Sequence, residues 1–445
     1  MLPTKRKLRS RAFTSSDGMK HKKLNHIGVP GGRLQLQSPK IHPLLHACFE
    51  EGPGSRPLNT NGQLISACMQ NDLDAVRFLV EEARADVEAR DDGGRTPLAT
   101  AVQYFSFNAL QYLLFTAKAN VEARFPFFEF SESNKASRMH SSWTALILAA
   151  RIQNIIACRL LVYARADFEA GDSEGFTPLI VASQHGSKSV VRYLLSEARA
   201  STESADAGGH TPFAHACINE EFEVIRDLLE AKALVDSRSV SGTSSLVRAV
   251  RNGSLELIRF LLFEAKANPG ACDNNGNSVL ATAAYENNAE AIRLLVRKTV
   301  DLESKDKNGR TPLMRAVEQS QIGAIRALAE AKAQVAAKAN KGRTCLMEAA
   351  RRNHLECASV LIFEMGAKVN ETDCDERTAL VYASDEGHSA MVWMLLQARA
   401  DVSRRPIENG HTAWTLVYAI KEAAPCELTY VCSVGIDVGF TQGAS

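Results

Sequence analysis

Eight arginines, Arg248, Arg251, Arg310, Arg315, Arg343, Arg351, Arg352 and Arg377, stand at a few recurring offsets from a repeated Thr/Ser-x-Leu triplet. Earlier in the chain Tyr104, Trp143 and Phe176, with Leu148 and Val181, hold comparable offsets. Aromatic residues and arginine are the types enriched where protein interfaces concentrate their energy. The expected chemistry is therefore recognition: an apolar anchor at the early positions and an acidic segment of a partner against the arginines. The competing reading is that these are ordinary solvated side chains, with Trp143 and Phe176 packed on their neighbours.

Bond-making chemistry has no comparable foothold. The Gly-Gly pairs at Gly31, Gly93 and Gly208 lead into no Gly-x-x-x-x-Gly-Lys loop that would cradle a phosphate. The eleven histidines are scattered, and the ten cysteines include no Cys-x-x-Cys pair. A metal site needs paired ligand spacing, and His210, His215 and His411 read as turn or helix residues. No catalytic, cofactor-binding or metal-binding residue is expected, and the chain reads as a non-enzyme.

Charge narrows the partner further. The net charge is +1 over 445 residues, so the whole chain is no general binder of polyanions. Residues 1–40 hold ten Lys/Arg against Asp17 alone, which makes that tail +9 and the rest −8. Lys5, Arg6, Lys7, Arg9 and Arg11 resemble a nuclear localisation signal. The same acid-poor stretch also fits a transit peptide or a plain disordered tail, and nucleic acid contact is expected only there. No apolar run reaches about 18 residues and no secretory leader is visible, so the expectation is a cytoplasmic or nuclear chain with reduced core thiols.

The elements that position these residues repeat. The triplet opens at Thr96, Thr144, Thr177, Thr211, Ser244, Ser278, Thr311, Thr344, Thr378 and Thr412, with Phe213 and Trp414 in the Leu slot. The spacings are 48, then 33 or 34 throughout, and the 48 holds an insertion, FPFFEFSESNKASRMHS, over 125–141. A glycine two residues earlier supplies a tight turn, the Thr caps a helix, and Pro97, Pro178, Pro212 and Pro312 fit its first position. Small residues follow, then a short loop, then a second helix rich in Leu-Leu. No such unit buries its apolar face alone, so neighbours must stack.

The Thr-Pro-Leu start, the small pair, Leu-Leu and the acidic-x-x-Gly turn resemble the ankyrin repeat, over roughly residues 61–420. The resemblance implies an all-α, ankyrin-type repeat solenoid of about eleven helix-turn-helix units with hairpin-like turns. It also implies a protein-interaction scaffold whose concave groove is formed by the turns and first helices. One departure is consistent: the position after Pro-Leu, usually His in the family, is Ala99, Ile147, Ile180, Ala214 or another non-His residue in each unit, so apolar packing should replace its hydrogen bonds. Residues 41–60 read as a truncated N-terminal cap and 421–445 as a degenerate C-terminal one. Leu428, Cys432 and Ile436 are similar in spacing to the adaptor-binding box of ankyrin-type ubiquitin-ligase receptors, which leaves the substrate-recognition subunit of a ubiquitin ligase as an alternative.

A second row of cations ends the second helices: Arg84, Lys118, Arg165, Arg199, Lys232, Lys266, Lys332 and Arg399 stand where the family has glycine. A left-handed non-glycine residue costs roughly 1 kcal/mol, and a cation at a helix C-terminus recovers about 0.3–1 kcal/mol. The row is expected to be a helix-end device, partly neutralised by Glu82, Glu197, Glu230, Glu264 and Glu330. A cationic ladder for an anionic partner is the alternative.

Overall fold

A computed structural model describes residues 59–129 and 138–402. Ten helix pairs follow one another in these residues. They are α1 Thr60–Gln70 with α2 Leu73–Glu81, α3 Pro97–Gln103 with α4 Phe107–Phe115, α5 Ala145–Arg151 with α6 Ile155–Tyr163, α7 Pro178–Gln184 with α8 Lys188–Ser196, and α9 Pro212–Ile218 with α10 Phe222–Glu230. Then come α11 Ser245–Asn252 with α12 Leu255–Arg259, α13 Val279–Tyr285 with α14 Ala289–Val296, α15 Pro312–Glu318 with α16 Ile322–Glu330, α17 Cys345–Arg351 with α18 Leu355–Ser359, and α19 Ala379–Asp385 with α20 Ser389–Gln397. Each first helix packs on its own second helix and on the first helices before and after it. The fold is the expected all-α repeat solenoid. The basic tail, the C-terminal cap and all but Asn59 and Thr60 of the N-terminal cap lie outside the described residues.

Local chemistry starts each unit. From Thr96 to Thr378 the triplet's hydroxyl accepts the N–H three residues on, as Thr177 does from Ile180 and Thr311 from Met314. That satisfies one of the donors a helix N-terminus leaves over. The residue at the family's His position contributes this N–H while its side chain goes inward. Ile147, Ile180, Val247, Met347 and Val381 are all buried, so apolar packing does take the place of the histidine.

The second helix ends as its sequence demands. Arg84, Lys118, Arg165, Arg199, Lys232, Lys266, Lys332 and Arg399 all have left-handed φ, between 54° and 68°. The alanine that follows turns its N–H back to a leucine carbonyl of the helix. The bond spans six residues in Ala200→Leu194, Ala267→Leu261 and Ala367→Leu361, and five in Ala166→Leu161, Ala233→Leu228 and Ala333→Leu328. These are the 34- and 33-residue units respectively. One extra residue, absorbed in a widened final turn such as Phe260–Glu264 or Val360–Glu364, therefore accounts for the longer spacing of these units, while the unit from Thr378 keeps the five-residue bond Ala400→Leu395.

The turns between units are built on an aspartate. Asp306 Oδ1 accepts the N–H groups of Asn308 and Arg310, both at 2.9 Å, and Asp172, Asp273 and Asp373 repeat the pattern. Successive turns are tied by backbone bonds, including Val240 N–H to Gly208 and Asn340 N–H to Asn308. That close approach fixes the glycine: a Cβ on Gly309, at φ 72°, would lie 2.7 Å from the Asn340 nitrogen. Ser142 and Glu376 take the same left-handed role without being glycine. The insertion forms an antiparallel hairpin, β1 Phe125–Glu129 with β2 Arg138–Trp143, and Phe125 packs back into the core.

Candidate functional site

The first-helix side of α15 and α17 brings five of the eight arginines together. Arg310 precedes the cap of α15 and Arg343 that of α17; Arg315 lies within α15, and Arg351 and Arg352 end α17. Glu318, at the end of α15, accepts from Arg310 Nη1 at 3.0 and 3.1 Å, Arg315 Nη1 at 3.0 Å and Arg352 Nη2 at 2.9 Å. Glu348 accepts from Arg351 Nη2 at 2.7 Å and Nε at 3.3 Å, Arg352 Nε at 2.6 Å and Arg343 Nη1 at 3.4 Å. Arg352 thus bridges two units. Arg310 is also held by Asp306 at 2.8 Å, and Arg315 lies over the Tyr285 ring at 4.7 Å. Arg310, Arg343, Arg351 and Arg352 line a cleft of about 100 Å³ with both glutamates.

Electrostatics hold the cluster in one state. Burial works to raise the Glu348 carboxyl, but the bonds from Arg351 and Arg352 outweigh it and hold the group at about 2, against 4.5 ordinarily. A depressed carboxylate stabilises the fold above its unfolded value and loses that contribution as pH falls through the folded one. Glu348→Gln should therefore lower the urea midpoint at pH 7. The difference from the unsubstituted chain should shrink between pH 4.5 and pH 2. A gap that stays constant over that range would show the carboxylate is not so held.

The other expected residues are placed differently. Arg377 is clamped by Asp373 and Asp375 and lies over Tyr382. Arg251 is exposed and forms no ion pair among the described residues, and Tyr104 is exposed at the end of α3. The expected apolar strip is corrected: Trp143 is buried, its Nε1 donating to Asp172 Oδ2 at 3.1 Å, and Leu148 and Val181 are core residues. Trp143 stands at the offset from which Arg310 meets the aspartate of its own turn, but it donates to the turn aspartate of the following unit. Phe176 is half-buried against His215, with ring centroids 5.3 Å apart. Lys5, Arg6, Lys7, Arg9 and Arg11, like Leu428, Cys432 and Ile436, lie outside the described residues.

Asp206, His210 and His215 bring three metal-ligand atoms within 4.8 Å of one another. Their valences are already engaged. Asp206 accepts from the His210 N–H at 2.8 Å and bonds His215 Nε2 at 2.9 Å. Arg248 Nη2 stands 3.1 Å from His210 Nε2, a cation where a metal ion would need an open lone pair. The residues fit a turn-aspartate network better than a metal centre, and they draw Arg248 into it.

The helix-end cations lie elsewhere. All eight are exposed, and among the described residues their side chains have no ion pair. The expected neutralisation by neighbouring acids is corrected at two positions. Glu197 pairs with Arg159 at 3.3 Å and Glu330 with Arg293 at 3.2 Å, each across to the preceding unit's second helix.

The ankyrin repeats (3 copies) family model matches residues 40–124, 127–206, 198–271, 246–339 and 330–406. The chain is 28% identical over 215 residues to the B-cell lymphoma 3 protein homolog of Mus musculus, covering 47% of this chain and 45% of that one. It is 26% identical over 218 residues to the ankyrin repeat and SAM domain-containing protein 6 of Danio rerio, covering 49% and 24%. The matched region thus spans less than half the length of either curated relative.

Proposed function

The chain belongs to the ankyrin repeat family, and on that premise we propose that it is a non-enzymatic scaffold or adaptor that takes an acidic segment of a partner protein against its first-helix face. The family's repeats serve protein–protein interaction. No helix of the described residues is long and apolar enough to cross a membrane. The observation that carries the reading is the cluster of Arg310, Arg315, Arg343, Arg351 and Arg352, fixed in place by Glu318 and Glu348. Rigid, pre-formed donors lose little entropy when a partner docks. The Arg377 pair and the exposed Arg251 extend the face on both sides.

Charge reversal tests it. Full-length chain carrying Arg315→Glu and Arg351→Glu should lose at least about tenfold of its captured partners in a pull-down with proximity labelling, since each desolvated charge-assisted contact is worth about 1.5–3 kcal/mol. Undiminished capture by a variant with an unchanged melting curve would sink the arginine part. A second reading, a ubiquitin-ligase substrate receptor, rests on the spacing of Leu428, Cys432 and Ile436; co-purification of an adaptor that Cys432→Ala abolishes would favour it. For Lys5 to Arg11 we propose a nuclear localisation signal, and for the chain a cytoplasmic or nuclear location.

A further inference from the structure

The two carboxylates are used up before the arginines are. Glu318 and Glu348 each accept four N–H contacts, which fills the roughly four lone-pair sites of a carboxylate. A guanidinium has five N–H groups. Among the described residues Arg343 spends one, through Nη1 at 3.4 Å, and Arg351 and Arg352 each spend only Nε and Nη2. The Arg315 Nε is buried and meets no acceptor. Counting Asp306, three carboxylates face five guanidiniums, a surplus of two positive charges. The exposed Glu386 reaches Arg351 only through space.

We propose that this cluster binds a phosphorylated serine or threonine within the partner's segment, an inference that rests on the reading of this face as partner-binding. A phosphate ester carries about −1.5 to −2 at neutral pH and three strong acceptor oxygens. That charge closes the local balance, whereas one carboxylate leaves half of it. The planar forks, held still by Glu318 and Glu348, suit bidentate contact with a phosphate. Solvent reaches them, since the Arg343 and Arg352 side chains are 38% and 32% exposed. A phosphorylated lipid would present the same headgroup chemistry. However, none of the exposed large apolar side chains among the described residues lines this cleft, so nothing beside it would enter a bilayer.

The test offers immobilised full-length chain three degenerate peptide pools differing at one central position: phosphoserine, glutamate or serine. The phosphoserine pool should be retained at least about tenfold over the glutamate pool. Arg343→Ala with Arg352→Ala should remove the preference. The Arg343→Lys, Arg352→Lys pair, which keeps the charge and loses the forks, should weaken it several-fold and guards against a variant that fails to fold. Inorganic phosphate should compete. Equal retention of the phosphoserine and glutamate pools, lost in the variants, would overturn the phosphate inference and leave the acidic-segment reading standing. Retention of no pool would overturn it too, as would arginine-dependent binding confined to vesicles containing a phosphorylated inositol lipid. The partner capture described above judges the face independently of all three.

Discussion

Phe213→Ala should destabilise the array by about 3–5 kcal/mol, the usual loss when a large buried aromatic is truncated. Phe213 fills the leucine slot of α9 and is fully buried, and α9 packs on α7 and α11 in the neighbouring units and on its own α10. A stack of this kind draws its stability from each unit and from its interfaces with the next. A cavity at Phe213 therefore weakens one unit and two interfaces together. The unfolding transition, followed by circular dichroism in urea, should move to lower denaturant or separate into two steps. Phe213→Leu restores the family's usual residue and should cost less than about 1.5 kcal/mol. A loss below about 1 kcal/mol in the alanine variant would mean that the units are not coupled through this layer.

Asp306→Ala should cost about 3 kcal/mol, through a different mechanism. The Asp306 side chain is 2% exposed and accepts two backbone N–H groups and Arg310 Nε. Alanine strands those donors, and each buried unmet polar group costs about 1–3 kcal/mol, more beside a charge. The chain shows what the turn does without the carboxylate. At the matching position stands Ala339; there Lys341 takes a left-handed φ of 66°, and Arg343 swings to Glu348 instead. Asp306→Ala should accordingly loosen Arg310 and weaken partner capture along with the fold. Thermal melts and capture assays on the same preparation would show both losses. A stable variant with unchanged capture would contradict the turn-to-cluster link.

What the sequence disclosed was governed by local rules. Thr caps, first-turn prolines and left-handed glycines act within four residues, so the unit and its period could be read directly. The helix-end cations are the sharpest case. Their position opposite the family's glycine implied left-handed backbone, and each of the eight adopts it. One reason for spacings of both 33 and 34 was also present in the letters, as one extra residue in LLFEAKA compared with LLEAKA.

Most of what stayed hidden depends on neighbours in another unit. Trp143 shares the offset of Arg310, but its partner is Asp172 in the following unit, and burial follows from that bond. Glu318 and Glu348 stood in the sequence at groove offsets, and their helical spacing to Arg315, Arg351 and Arg352 was legible; the reach of Arg352 back to Glu318 in the preceding unit was not. Ties between units use residues with no family signature. Asn154, Gln321 and His354, at the start of second helices, donate to the carbonyls of Val102, Tyr285 and Val317 in preceding units. Glu88, Glu122 and Glu169 likewise accept the N–H groups of Asn120, Asp167 and Ser201. The signal that could have found the second set is the acid four residues after Arg84, Lys118 and Arg165.

If the proposed function holds, the turns and first helices from Ser244 onward meet the partner, and the exposed helix-end cations do not. Hydrogen–deuterium exchange of the full chain, alone and saturated with a captured partner, tests it most directly. Exchange should slow in the turns preceding α15, α17 and α19 and at the ends of those helices, with no change around Arg165, Arg199 and Lys232. Protection centred on those helix-end cations, with the arginine cluster unaffected, would contradict it.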